Sequence, residues 1–234
     1  MKQHLLYEGK AKQIYATENP EQVIMYYKDD ATAFNGIKKS VITDKGRLNA
    51  AITQELFTYL AANGIPTHLI EQLSEREQLC HTVTIFPLEV IIRNIAAGSI
   101  TKRLAVKEGT RFQQPIFELC YKNDDLGDPL INDDHALALG LITPTQLSEV
   151  KRLTLAINTL LQHRFAEVGI DLVDFKIEFG MKQDGTVVLA DEISPDSCRF
   201  WEQTTARKLD KDRFRQDLGE VTQAYEEILA RLQA

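Results

Sequence analysis

Apolar and polar positions follow a short period at the start of the chain and a helical one further on. Leu5 to Tyr7, Gln13 to Ala16 and Val23 to Lys28 read as short strands. The first two flank a Gly9–Lys10 turn and the third follows Asn19-Pro20. Residues 29–43 hold no sustained period and read as a loop. Leu48, Ile52, Leu56 and Leu60 then recur at helical spacing. They predict a helix from about Asp44 to Asn63, capped by Thr43 or Asp44 and stopped at Gly64. Pro66 to Leu73, Gln78 to Phe86 and Glu89 to Ile95 read as strands, the last rich in β-branched residues. A short helix starts at Ser99, and residues 122–134 (KNDDLGDPLINDD) form a polar loop. The longest helix is predicted over Pro144 to Val168. Thr143 caps it, Pro144 takes a first-turn position where a missing N–H costs nothing, and Gly169 ends it. Its apolar stripe is Leu147, Val150, Leu153, Ile157, Leu160, Leu161, Phe165 and Val168. Strands follow over 171–180 and 186–192, then a last helix from about Lys211 to Leu232 with Gly219 weakening its middle. Strands lead and helices dominate later. The expected class is α+β, with a sheet-rich N-terminal lobe over residues 1–86, a C-terminal lobe over 87–234 and a junction near Phe86-Pro87.

The stretch Leu172-Val173-Asp174-Phe175-Lys176-Ile177-Glu178-Phe179-Gly180 adds chemistry to this pattern. Side chains alternate along a strand, so Asp174, Lys176 and Glu178 share one face while Val173, Phe175, Ile177 and Phe179 share the other. Asp184-Gly185 then signals a two-residue hairpin turn. With Gln183 paired to Thr186, Glu178 stands directly opposite Asp191. Like charges facing each other across a ladder are destabilising unless a cation lies between them. Two carboxylates suit Mg²⁺, which takes its remaining oxygens from phosphate and water. Lys176 beside them suits a phosphate or a carboxylate. The other reading is a solvated hairpin face with Lys176 bridging the acids, and a one-residue slip of register would undo the pairing.

A second stretch, FPLEVIIRNIAAGS at 86–99, runs from a strand into a helix with Ser99 at the expected N-cap. Free N–H groups at such a terminus, the small Gly98 and the cations Arg93, Lys102 and Arg103 make a phosphate site. An ordinary capped helix with surface bases fits the same residues. Lys10 and Lys12 lie two apart and point the same way if extended, where they could grip nucleotide phosphates. One glycine is too few for a Walker or GxGxxG loop, and a solvated strand face is the plainer reading.

Composition narrows the class. The 234 residues are 44% apolar and 26% charged, an ordinary globular balance that needs no disulfide or structural metal. A net charge of −7 argues against general nucleic-acid binding but leaves room for a local phosphate site. Cys80, Cys120 and Cys198 have no CxxC spacing and read as reduced thiols, and the five histidines share no metal-ligand spacing. The N-terminus MKQHLLYEGK has no apolar signal core and no run approaches a membrane span, so a soluble cytoplasmic protein is expected. A homodimer is the expected assembly because closed twofold pairs are the commonest.

Taken together the segments resemble the SAICAR synthetase family. FPLEVIIRNIAAGS and LVDFKIEFG look like its two signatures, and YEGKAKQIY, ITDKGRLN, KNDDLGDP, ADEISPDSCRFW and DKDRFRQ follow in the family's order over nearly the whole chain. The resemblance implies a two-lobed fold related to ATP-grasp and protein-kinase-like folds. It implies a ligase that uses ATP to join L-aspartate to the carboxylate of carboxyaminoimidazole ribonucleotide (CAIR) in purine biosynthesis, through an acyl phosphate. By that resemblance Lys10 and Lys12 contact ATP phosphates, and the backbone around Phe86, Leu88 and Glu89 forms an adenine-side hinge. Glu178 and Asp191 hold Mg²⁺ on ATP. Arg93, Ser99 and Arg199 bind the ribonucleotide phosphate, and Asp174, Lys176 and Asp196 surround the reacting end. No catalytic role is carried onto residues 30–36. For the aspartate pocket only Lys122, Asp125 and Asp128 stand as candidates. A small-molecule kinase using ATP and Mg²⁺ remains the alternative on the lysines and paired acids alone.

Overall fold

The computed structural model describes residues 1–33 and 36–234. Strands β1 (Leu5–Glu8), β2 (Lys12–Ala16) and β3 (Gln22–Tyr27) form an antiparallel meander, as their alternation predicts. Where a loop was expected, β4 (Asp30–Ala33) and β5 (Lys38–Val41) pair as a two-stranded ribbon. Each is only four residues long, too short for a periodic signal. Phe34 and Asn35, inside that expected loop, lie outside the described residues.

Helix α1 (Lys45–Ala62) buries Leu48, Ile52, Leu56 and Leu60 as the spacing requires. Its cap departs from expectation. Asp44 occupies the N-cap in left-handed geometry (φ 66°) and caps nothing with its side chain. Asp29 instead accepts the Gly46 N–H at 2.9 Å. The predicted strands over 66–73 and 78–86 shorten to β6 (Leu69–Gln72) and β7 (Glu77–His81), which complete a five-stranded sheet ordered β1-β2-β3-β7-β6.

Strand β8 (Thr84–Ile85) already belongs to a second, seven-stranded sheet. Along the chain the sheet continues with β9 (Leu88–Ile95), followed by the short helix α2 (Ser99–Arg103). Strand β10 (Arg111–Tyr121) next pairs with β9, an element the pattern did not reveal. The expected polar loop at 122–134 contains a 3₁₀ turn (Asp124–Leu126), β11 (Leu130–Ile131) and the start of helix α3 (Asp133–Ala138), fixed by an Asn132–His135 capping box. Helix α4 (Pro144–Glu167) begins with a Thr143–Gln146 capping box and buries Leu147, Val150, Leu153, Ile157, Leu161 and Phe165. Strand β12 (Ile170–Met181) is the spine of the sheet. It pairs with β9 and β8, with β13 (Val187–Ala190) and with β14 (Cys198–Glu202).

The predicted final helix breaks into α5 (Asp212–Arg215) and α6 (Val221–Leu232). Asp217, Gly219 and Glu220 all take left-handed backbone, which no α-helix can contain. The last strand, β14, ends at Glu202, and only these two helices follow it. The α+β class holds, and strands take a larger share of residues 1–86 than of 87–234, although the C-terminal part carries a large sheet of its own. One continuous core joins α1, α4 and α6 to β9 and β12.

Candidate active site

Two cavities open side by side on the polar face of β12. The larger, about 510 Å³, runs from the β1–β2 turn across to β12 and the segment after β13. The smaller, about 110 Å³, lies between β9, β12 and β14. Lys176, Asp196 and Ser197 line both, so the cavities meet there.

The alternation along β12 explains much of this. Phe175, Ile177 and Phe179 enter the main core, leaving Asp174, Lys176 and Glu178 to the cavities. Val173 does not join its expected partners. The pairing with β14 slips between Leu172 and Asp174, and Val173 packs with Ile95, Ala97 and Trp201 in a separate small cluster.

The hairpin register also differs from the sequence reading. Met181 pairs with Val187 and Glu178 with Ala190, not with Asp191. The reason is the turn. A two-residue turn of the expected type needs left-handed backbone at both Asp184 and Gly185, and only Gly185 has it (φ 84°). Lys182 and Thr186 close a longer loop, in which Asp184 accepts the Thr186 N–H at 2.9 Å. Asp191 nevertheless reaches the larger cavity beside Glu178, because β13 ends at Ala190 and Asp191 turns with φ 60°.

Lysines neutralise the acids of this cavity. Lys12 binds Asp191 and, at 2.8 Å, Glu192. Lys122 reaches Glu178 at 2.6 Å, and Lys176 sits 2.6 Å from Glu89 and 3.8 Å from Glu178. Burial opposes the Lys12 and Lys176 charges. For Lys12 the charges of Asp191 and Glu192, and for Lys176 those of Glu89 and Glu178, outweigh it and raise both pKa values. Burial likewise disfavours the Asp191 carboxylate, but Lys12 and Lys176 bring its pKa down to about 2. At Glu178 burial, and then the charge of Asp191, push the carboxyl upward. A pair of hard oxygen donors in one cavity, Glu178 buried and Asp191 part-exposed, one raised by the other, fits a divalent cation. Among the described residues no group of three or more His, Cys, Asp or Glu could hold a metal. An ion here would need oxygens from a substrate.

The smaller cavity is built from arginines. Arg93 Nε donates to Glu118 at 2.7 Å, its Nη1 to Asp174 at 3.2 Å and its Nη2 to the Ser99 hydroxyl at 3.2 Å. Arg199 bonds Asp174 at 2.7 Å and Asp212 at 2.9 Å. Ser99 is not the cap of α2; Gly98 is, and the hydroxyl is turned to Arg93 instead. Gly98 is approached closely by the Arg199 side chain. With φ 65° and any Cβ only 2.5 Å from Arg199 Nη2, that position has room for glycine alone. Burial raises the Asp174 pKa even against Arg199 and Arg93.

Most of the expected site residues therefore converge. Lys10, Lys12, Glu89, Lys122, Asp128, Glu178 and Asp191 line the larger cavity; Arg93, Asp174 and Arg199 line the smaller. Phe86 and Leu88 do not reach either lining and are packed in the core, and Ser99 lies off both linings, tied to the smaller cavity only through Arg93. Asp125 also lies off both linings, while its neighbour Asp124 pairs with Lys10 at 2.7 Å. Sequence reasoning passed over Glu192 and Lys211 in the larger cavity, Arg215 in the smaller, and Glu118 and Asp212 behind the arginines. Lys211 and Arg215 had a signal in their four-residue spacing within DKDRFRQ. Glu118 had none, since its strand went unrecognised.

Known proteins share this sequence pattern and fold. The SAICAR synthetase family model matches residues 5–232. The chain is 59% identical to the phosphoribosylaminoimidazole-succinocarboxamide synthase of Clostridium botulinum (strain Eklund 17B / Type B), over 99% of this chain and 98% of that one. It is 60% identical to that of Dichelobacter nodosus, over 99% and 97%. The crystal structure of the Ehrlichia chaffeensis synthase superposes with a TM-score of 0.97 at 47% identity, covering 99% of both chains. A SAICAR synthetase in complex with ADP superposes with a TM-score of 0.95 at 46% identity, covering 98% of this chain and 97% of that one. Matched from end to end by the family model and by these relatives, the chain belongs to the SAICAR synthetase family.

Proposed function

We propose that the larger cavity binds ATP, that the smaller binds CAIR, and that L-aspartate is joined to CAIR where the two meet. The product is SAICAR, with ADP and phosphate. The carrying observation is the shared boundary: Lys176, Asp196 and Ser197 border both cavities, so a phosphoryl group and an acceptor carboxylate can approach there. An ADP complex of a relative at 46% identity supports the nucleotide assignment.

A carboxylate is a poor acyl donor because oxide leaves badly. In the first step a CAIR carboxylate oxygen attacks the γ-phosphorus, the bond to the β–γ bridging oxygen breaks, and ADP departs. In the second the aspartate nitrogen attacks the acyl carbon, and phosphate leaves carrying the oxygen that CAIR supplied. Lys10 and Lys12 bind the ATP phosphates. Lys176, held at the boundary by Glu89, offsets charge on the phosphoryl group in flight. Glu178 and Asp191 would hold Mg²⁺, which supplies positive charge to the ATP phosphate oxygens. Arg93, Arg199 and Ser99 grip the ribonucleotide phosphate.

The two remaining acids differ. Burial opposes the Asp196 charge, but Lys211 and Lys45 hold its pKa far below the ordinary carboxylate value. Such a group is a poor proton acceptor at neutral pH. Asp174, raised by burial, is the better acceptor for the ammonium proton, and Asp196 acts as a fixed charge.

Residues 1–86 form the lobe that supplies the ATP lysines, and residues 87–234 the lobe that supplies the acids and arginines. No helix among the described residues is long and apolar enough to cross a membrane. Cys80, Cys120 and Cys198 are free and buried, which suits a reducing cytoplasm. A homodimer fits the general preference for twofold pairs.

The test is an ATP assay with CAIR, with and without aspartate, followed by mass measurement of the product. SAICAR formed with one ADP, only when aspartate is present, is the expected result. A stable phosphorylated product formed without aspartate would favour the kinase reading instead.

A further inference from the structure

Asp196 is held from two helices that line neither cavity. Its Oδ2 accepts from Lys45 Nζ at 2.8 Å and from Lys211 Nζ at 3.3 Å. Its Oδ1 accepts from the Tyr225 hydroxyl at 2.7 Å. Lys45 comes from the first turn of α1 and Tyr225 from α6, and both are buried. A carboxylate has about four lone-pair sites. Three are taken by these donors, which leaves one for a ligand at the boundary of the cavities.

The start of α1 is built to deliver Lys45. Asp44 takes left-handed backbone immediately before it. Gly46 immediately after it lies so close to β3 that a Cβ would stand 2.5 Å from the Tyr27 carbonyl oxygen. Asp29 fastens the turn by accepting the Gly46 N–H, and Arg76 holds Asp29 with bonds of 2.6 and 3.1 Å. Strained backbone persists where the surrounding structure over-determines it, and such sites cluster near function. Burial, and then the Asp196 charge, hold the Tyr225 phenol well above its ordinary pKa, so its hydroxyl stays a donor.

We propose that Lys45 and Tyr225 are positioning residues that fix the Asp196 carboxylate at the junction of the two cavities, where its free lone pair receives the ammonium group of the incoming aspartate. This rests on the reading of Asp196 as a fixed charge in the ligase. Neither residue touches substrate. Each grips a different oxygen, so together they set the plane of the carboxylate as well as its position.

The test varies aspartate at saturating ATP and CAIR, with melting temperature measured in parallel. Tyr225→Phe is expected to keep the wild-type melting temperature and KM for ATP while kcat/KM for aspartate falls by about tenfold. Lys45→Met is expected to lose at least as much, and Lys45→Arg to recover part of it. In an Asp196→Asn background, read by single turnover, Tyr225→Phe is expected to have no further effect. An unchanged kcat/KM for aspartate in Tyr225→Phe would overturn the proposal, as would an undiminished tenfold loss in the Asp196→Asn background. If Tyr225→Phe is destabilised, the lysine variants decide: equal loss in Lys45→Arg and Lys45→Met overturns it. Full activity in Asp196→Asn alone would remove the role of Asp196 itself, a failure distinct from that of its supports.

Discussion

The two cavities neutralise charge with different cations. The larger uses lysines: Lys12, Lys122 and Lys176 each pair with an acid that also lines that cavity. The smaller uses arginines: Arg93 and Arg199 share Asp174 in its lining, and each is also held by a carboxylate outside it, Glu118 and Asp212. An ammonium is a point charge on a flexible stem, whereas a guanidinium is a rigid fork. The contrast follows the chemistry. A phosphoryl group that moves from donor to acceptor needs charge that can follow it, and a ribonucleotide phosphate that stays in place needs fixed geometry. Damage to the lysine and acid cluster is therefore expected to appear in kcat, and damage to the arginine cluster in KM.

The largest expected effect is at Glu178. Glu178→Gln keeps the shape of the strand but removes one of two adjacent charges, and is expected to lower kcat by about 10³-fold or more with the fold intact. Steady-state kinetics beside a circular-dichroism melt check this, and near-normal turnover would break the distinction at its lysine end. Next come Arg93→Ala and Gly98→Ala. The first removes a fork. The second places a methyl group against the Arg199 guanidinium at a backbone angle that favours glycine. Each is expected to raise KM for CAIR by about tenfold while KM for ATP is unchanged. An equal rise in both constants would show that the two ends are not separate.

The smallest effect concerns stability. His68 is buried behind the larger cavity, and burial is the main cause that lowers its pKa from 6.5 to about 4. Between those values the unfolded chain binds a proton that the folded one refuses. Native stability therefore falls as pH drops from 6.5 to about 4 and levels off below. His68→Gln is expected to flatten that part of a plot of melting temperature against pH. An identical slope in the variant would show that His68 is not the group responsible.

Which parts were legible follows from how local each signal is. The apolar stripe of α4 and its Thr143 cap depend on neighbours in sequence, and both were readable. So was the face shared by Asp174, Lys176 and Glu178. The register of the following hairpin was not, because Asp-Gly serves two turn types and the backbone at Asp184 decides between them. Glu178 and Asp191 still line one cavity, through a left-handed residue that no alternation rule anticipates. The partners that set the charges were hidden for a different reason. Lys45 and Asp196 lie 151 positions apart, and Arg93 and Glu118 sit on strands of which only one was recognised. Only the tertiary fold brings such pairs together.

The account requires that the CAIR carboxylate be phosphorylated before the amine attacks. CAIR labelled with ¹⁸O in its carboxylate tests that directly, with mass analysis of the phosphate released in the presence of ATP and aspartate. One ¹⁸O atom per phosphate is the predicted result. Phosphate free of label, formed while SAICAR accumulates, would contradict it.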